Sequence, residues 1–134
     1  MKIISIDGNQ SIEIIMYHDQ YYTSFSMNVS VDIKHGRFTG ENIDLQFLNL
    51  HTFVRTLEMF IMDKKVIPKL EGTYDSFIEF VQIPNGNILL NFTIGDAYCG
   101  YSNTVDYSLS GSFEFSPKAL NQILDACKGF LDEV

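Results

Sequence analysis

His18, His35 and His51 are the side chains through which this chain could hold a metal or move a proton, and their spacing argues against both roles. None stands at H-x-x-x-H or H-E-x-x-H separation, the patterns that place two imidazoles on one helix face. His18 has Asp19 beside it, but neighbours on a strand point to opposite faces and do not converge on an ion. Nucleophiles are equally poorly supplied. Cys127 falls within an apolar helical stripe and reads as a small core residue. Cys99 lies in Asp96-Ala97-Tyr98-Cys99-Gly100-Tyr101-Ser102-Asn103, with no Lys, Arg or His near it in sequence to favour its thiolate. There is no G-x-S-x-G elbow, and Ser110-Gly111-Ser112 belongs to a strand. Glu79 and Glu114 both fall on strands, but paired carboxylates carry little signal in an acidic chain, and a sugar platform is weakened by the absence of Trp. The segment from Gly95 to Gly100 is acidic and aromatic, a poor cradle for phosphate. These residues predict no catalytic group, no metal and no cofactor.

Binding surfaces remain. The segment Asp96–Asn103, read as a loop, carries Tyr98 and Tyr101 with Gly100 between them. Tyrosine offers a large contact area at low entropic loss and is common among interface anchors. In the alternative reading the rings fold back onto a sheet edge. A second surface would arise if the strands bearing Ser24, Ser26, Ser30, Ser108, Ser110 and Ser112 were neighbours; an exposed antiparallel face would also explain those serines.

The elements that position these residues are legible as a change of rhythm. Val105, Tyr107, Leu109, Gly111, Phe113 and Phe115 alternate with Asp106, Ser108, Ser110, Ser112 and Glu114, which predicts a strand with one buried face. Gly111 leaves a gap on that face, of the kind found where a sheet bends or a helix packs close. Ser116-Pro117 then starts a helix, serine as cap and proline at the first helical position. Leu120, Ile123, Leu124, Cys127, Phe130 and Leu131 form its apolar stripe. Alternation also marks Tyr21–Ile33 and Asn87–Ile94. Pro84-Asn85-Gly86-Asn87 predicts a hairpin between Phe77–Ile83 and the strand that follows. Asp7-Gly8-Asn9 separates Lys2–Ile6 from Ile12–Tyr17. Arg37–Ile43 reads as a short, weaker strand, and another short strand surrounds Pro68–Leu70. Leu50, Phe53, Val54, Leu57, Phe60 and Ile61 predict a helix beginning near Phe47, capped by Asp44 or Asn49 and ended by Asp63-Lys64-Lys65. There is no repeat, linker or low-complexity tract.

These elements predict a single domain over residues 1–134. Its class is α+β: a curved, mainly antiparallel sheet of about six or seven strands, packed against two amphipathic helices on its concave side. A chain of 134 residues buries roughly two-thirds of its unfolded surface and needs no disulfide or metal to hold a core. Nine Lys+Arg against 17 Asp+Glu give a net charge of −8, which repels phosphate backbones and argues against nucleic-acid binding. Such a surface favours solubility or docking onto a basic partner. No window approaches a membrane span. The short apolar start before Asp7 is unlike an export signal, and the two cysteines are expected as free thiols, so a cytoplasmic location is expected.

The order of features resembles a known family. FSMNVSVDI is followed by GRFTGENIDL, then by the helix pattern in IDLQFLNLHTFVRTLEMF, by FIEFVQI, by GNILLNFTI, and by the closing FEFSPKALNQILDACKGFL. From about Tyr21 onward this is similar to the small bacterial immunity proteins of the WapI type and related short acidic domains. The resemblance carries over no catalytic residue. It implies a cytoplasmic, non-catalytic protein that neutralises a cognate toxin domain by direct contact. An acidic surface suits a basic toxin, such as a nuclease. The residues expected at the contact are Asp96, Tyr98, Tyr101, Asp106 and Glu114. The alternative expectation is a small-molecule binder or minor enzyme with a pocket between sheet and helices; a structural subunit is a third. Oligomeric state is left open.

Overall fold

Short turns decide which strands become neighbours. The computed structural model describes residues 1–19 and 21–133. β1 (Lys2–Ile4), β2 (Gln10–His18), β3 (Thr23–Ile33) and β4 (Gly36–Gln46) follow one another into an antiparallel sheet of order β1-β2-β3-β4. After α1 (Leu50–Met62) the chain forms β5 (Lys69–Glu71), β6 (Phe77–Gln82), β7 (Ile88–Cys99) and β8 (Thr104–Phe115), a second antiparallel sheet of order β5-β6-β7-β8. A 3₁₀ turn at Pro117–Ala119 leads into α2 (Leu120–Asp132). The Asn85-Gly86 turn works as its sequence implies, with Gly86 at φ 90°, a conformation that strains any side chain.

The α+β class, the antiparallel pairing and the two amphipathic helices match the sequence-based expectation, whereas the sheet differs. In place of one sheet of six or seven strands there are two of four. The cause is α1, which interrupts the meander between β4 and β5. Their ladder shrinks to a single bridge, Phe47 with Gly72. Bonds from Leu48 N–H to the Glu71 carbonyl (3.0 Å) and from Thr73 N–H to the Gln46 carbonyl (3.1 Å) flank it. Each half of the chain therefore runs four strands and then a helix of 13 residues, the order of elements that the sequence rhythm predicts, although the residues themselves show no repeat.

The apolar faces of both sheets and both helices share one continuous core. Where β4 crosses the second sheet the faces meet directly. A Cβ on Gly40 would come within 3.0 Å of the Leu109 side chain. The Asn42 side chain donates to the Gly95 carbonyl at 2.8 Å. Elsewhere the helices fill the space. Leu50, Phe53, Val54, Leu57 and Phe60 of α1 are buried, as are Leu120, Ile123, Leu124, Cys127 and Phe130 of α2. Phe53 meets Phe80 of β6 edge-on, and Phe130 stacks on His18 of β2 with ring centroids 3.9 Å apart. Each helix thus reaches the sheet of the other half.

Several local expectations change for physical reasons. α1 starts at Leu50, and Asn49 sits at its N-cap without a side-chain capping bond. The amide instead donates to the Lys69 carbonyl and accepts from Glu71 N–H, both at 2.8 Å, pinning the helix start to β5. Asp44 lies within β4. Ser116 does cap, accepting from Lys118 N–H at 3.3 Å, but what it opens is the 3₁₀ turn. The strand expected as short at Arg37–Ile43 is the 11-residue β4, whose alternation is blurred by a register shift opposite Phe25 and Met27. The gap at Gly111 is filled by the ring of Phe92, its partner on β7, and not by a helix. The serines do not form one patch. Ser24, Ser26 and Ser30 belong to the first sheet and Ser108, Ser110 and Ser112 to the second, while Ser24 and Ser26 are buried.

Candidate functional site

The segment read as a loop at Asp96–Asn103 is largely strand. β7 continues to Cys99 and β8 begins at Thr104, so the turn itself is Gly100–Asn103, closed by a bond from Gly100 N–H to the Asn103 carbonyl at 2.8 Å. β5 and β6 are three and six residues long, whereas β7 and β8 are 12 each. The outer part of the β7–β8 hairpin therefore outruns the sheet that would flank it and projects as a two-stranded ribbon.

The register fixes what each face of that ribbon carries. Asp96 pairs with Tyr107 and Tyr98 with Val105. Residues two apart share a face, so these four continue the face that holds Ile94, Leu109, Phe92 and Leu90. Inside the molecule that face is core; beyond Ile94 its side chains are largely exposed. Tyr98 and Tyr107 are each 63% exposed, Val105 is 42% exposed, and Tyr101 at the tip is fully exposed. The rings do not fold back onto a sheet edge. Asp106 pairs with Ala97 on the opposite face of the same ribbon.

A turn beside the ribbon's base adds to this surface. Tyr74 and Asp75 both have positive φ, 60° and 57°, an arrangement that costs roughly 1–2 kcal/mol per non-glycine residue. It is held by bonds from Ser76 N–H to the Thr73 carbonyl (3.2 Å) and from Gly72 N–H to the Ser76 carbonyl (2.8 Å). The buried Ser76 hydroxyl in turn accepts from Gly95 N–H at 3.0 Å. A Cβ on Gly95 would run into the Tyr74 carbonyl oxygen, so glycine is required for the approach. The half-exposed Tyr74 then lines a cleft of about 570 Å³ with Glu41, Ile43, Asp44 and Asp96. The result is a band of aromatic and aliphatic surface edged by carboxylates.

Of the five residues expected at a contact, Asp96, Tyr98, Tyr101 and Asp106 come together on the ribbon. Glu114 does not. It lies eight residues further along β8, about 27 Å at the usual strand rise. There it accepts hydrogen bonds from Asn85 (2.9 Å) and Asn87 (3.3 Å), which hold its carboxyl below the usual glutamate range. Tyr107, Val105, Tyr74, Glu41 and Asp44 join the surface without having been expected there. Alternation predicts a buried face for Val105 and Tyr107, but both are exposed because β5 and β6 end before reaching them. For the others only the fold brings them near.

The remaining reactive side chains have structural surroundings. Cys127 is buried, and burial pushes its thiol up to about 11. Cys99 is a free, exposed thiol on the ribbon. The His18 ring, besides stacking on Phe130, donates from Nε2 to the Phe130 carbonyl at 2.8 Å. Glu79 takes a bond from Asn91 at 3.1 Å. Among the described residues no cluster of three or more His, Cys, Asp or Glu is arranged to hold a metal. No helix among them is long and apolar enough to cross a membrane. An apolar slot of about 370 Å³ opens between the two sheets, lined by Val31, Ile33, Phe38, Phe92 and Leu109 among others. Comparison of the chain with protein-family models, with curated proteins and with solved structures finds no match.

Proposed function

We propose that this chain is a non-catalytic, immunity-type protein of the WapI kind, acting in the cytoplasm by binding a cognate basic toxin domain. The observation that carries this reading is the uncovered face of the β7–β8 ribbon, where Tyr98, Val105 and Tyr107 lie beside Asp96. Tyrosines of this kind are rigid anchors with a polar tip, suited to a partner that is partly apolar and partly charged. Asp96, Glu41 and Asp44 around them, with the net charge of −8, steer a basic partner toward the face and suppress acidic ones. Asp106 and Tyr101 meet the same partner from the far side and the tip of the ribbon. Glu114, tied to its turn, contributes to the acidic field from a distance.

The test is co-expression with the toxin encoded beside this gene. Cells carrying the wild-type chain are expected to survive. Those carrying Tyr98→Ala with Tyr107→Ala are expected to die, although the double variant retains the wild-type circular dichroism spectrum. Equal protection by the double variant would remove the ribbon from the reading, and no protection by the wild type would remove the toxin.

The second reading, a small-molecule binder, draws on the apolar slot between the sheets. That slot is walled by strands on both sides, whereas the expected pocket was between sheet and helices. A ligand-specific rise in melting temperature across a metabolite panel, abolished by Phe38→Asp, would favour it.

A further inference from the structure

Four strands end the two sheets: β1, β4, β5 and β8. An edge strand presents unpaired N–H and C=O groups, and proteins blunt it by shortness, charge, proline or a bulge. β1 and β5 are three residues each. β4 carries the register shift and the charged side chains Arg37, Glu41 and Asp44. β8 has none of these devices along most of its length. Its ladder with β7 runs from Phe115 to Thr104 without a shift, it contains no proline, and Asp106 is the one charge between Thr104 and Phe113.

The parity of the ladder shows which groups are free. Gly100 and Asn103 form a bonded pair at the turn. Bonded and non-bonded pairs alternate in an antiparallel ladder. Val105, Tyr107, Leu109, Gly111 and Phe113 therefore bond to β7, while Thr104, Asp106, Ser108, Ser110 and Ser112 aim their N–H and C=O away from it. The far end agrees, because the Glu114 carbonyl, of the same parity, turns outward to accept Ile6 N–H at 2.9 Å. Among the described residues no strand pairs with the outer edge of β8 before that point.

We infer that this edge pairs antiparallel with β8 of a second copy about a two-fold axis at Ser108, merging two four-stranded sheets into one. In that register Thr104 faces Ser112, Asp106 faces Ser110, and each outward residue exchanges both its hydrogen bonds with one on the other copy. The side chains fit as well. Tyr107 comes beside Leu109, Val105 beside Gly111, and the two Asp106 carboxylates stay about 13 Å apart along the strands. Charge selects the occupant. A chain of net charge −8 can approach its own copy only where charge is sparse, and the run Tyr107–Phe113 has no charged side chain to recognise a basic strand. The pairing does not rest on the toxin reading and leaves the Tyr98 face of the ribbon in place.

Light scattering or sedimentation over a wide range of concentration tests it. The wild type is expected to reach twice the 15.3 kDa of one chain. Ser108→Pro removes an outward N–H without touching a bond to β7, and Ser108→Lys sets two like charges opposite each other on the axis. Both are expected to return the mass to that of one chain while keeping the wild-type circular dichroism spectrum. A wild type that stays at one chain throughout, or a dimer that survives both variants, would overturn the pairing, the first of these leaving the edge to another protein's strand.

Discussion

At the scale of single residues, the two cysteines have opposite chemistry because of where they sit. Cys99 is exposed on the ribbon, and Cys127 lies among the apolar side chains of α2 with its thiol pushed up to about 11. A thiol reagent is expected to label one cysteine in the native protein at neutral pH and the second only in denaturant, with peptide mapping placing the first label on Cys99. Glu114 gives a pH dependence of definite sign. Its folded-state carboxyl is held below the ordinary value of 4.5 by bonds from Asn85 and Asn87. The stabilisation is present above the unfolded value and is lost as pH falls through the folded one. Asp7, held down by the Ser5 hydroxyl and the Asn9 N–H, acts in the same direction. Urea midpoints measured from neutral pH to below 4.5 are expected to fall less for Glu114→Gln than for the wild type. Asn49 shows what residue type alone conceals: an asparagine ahead of an apolar stripe reads as a cap, yet its partners are backbone groups 20 and 22 residues away.

At the scale of elements, the helical stripes were legible because burial follows a period that few other arrangements share. Leu57 is fully buried in α1, and Leu57→Ala is expected to lower stability by about 2–5 kcal/mol in equilibrium denaturation. Tyr98→Ala on the exposed ribbon is expected to change it by about 0.5 kcal/mol or less, a contrast that separates folding residues from binding ones. Strands were legible in position but not in length. Alternation shows that Val105 and Tyr107 share a face with Phe113, and says nothing of whether anything lies over it. That depends on β5 and β6, which stop too soon. For β4 the fault runs the other way, since its bulge broke the alternation that would have shown its length. The split into two sheets was hidden for a further reason. Local patterns specify neighbours across a turn, and β4 with β5 are separated by a helix.

At the scale of the whole molecule, the two halves share a core, and neither helix stays with its own sheet. Phe53 leaves the first half to meet Phe80, Phe130 leaves the second to meet His18 and Phe47, and Lys128 reaches Glu58 at 3.2 Å between the helices. A molecule joined this way has no subdomain able to melt alone. Far-ultraviolet circular dichroism and tyrosine fluorescence are expected to trace one coincident unfolding curve, and two separated curves would show that the halves are independent.

Crossed helices make the connection between the two halves a place to cut the polypeptide. The backbone passes from one half to the other through the short stretch after Met62 and before Lys69. Severed there, each fragment would carry a helix whose greasy side matches its counterpart better than itself. Neither piece should keep its shape in isolation, and the two mixed together should reassemble, which makes this chain a natural starting point for a conditional, two-part reporter.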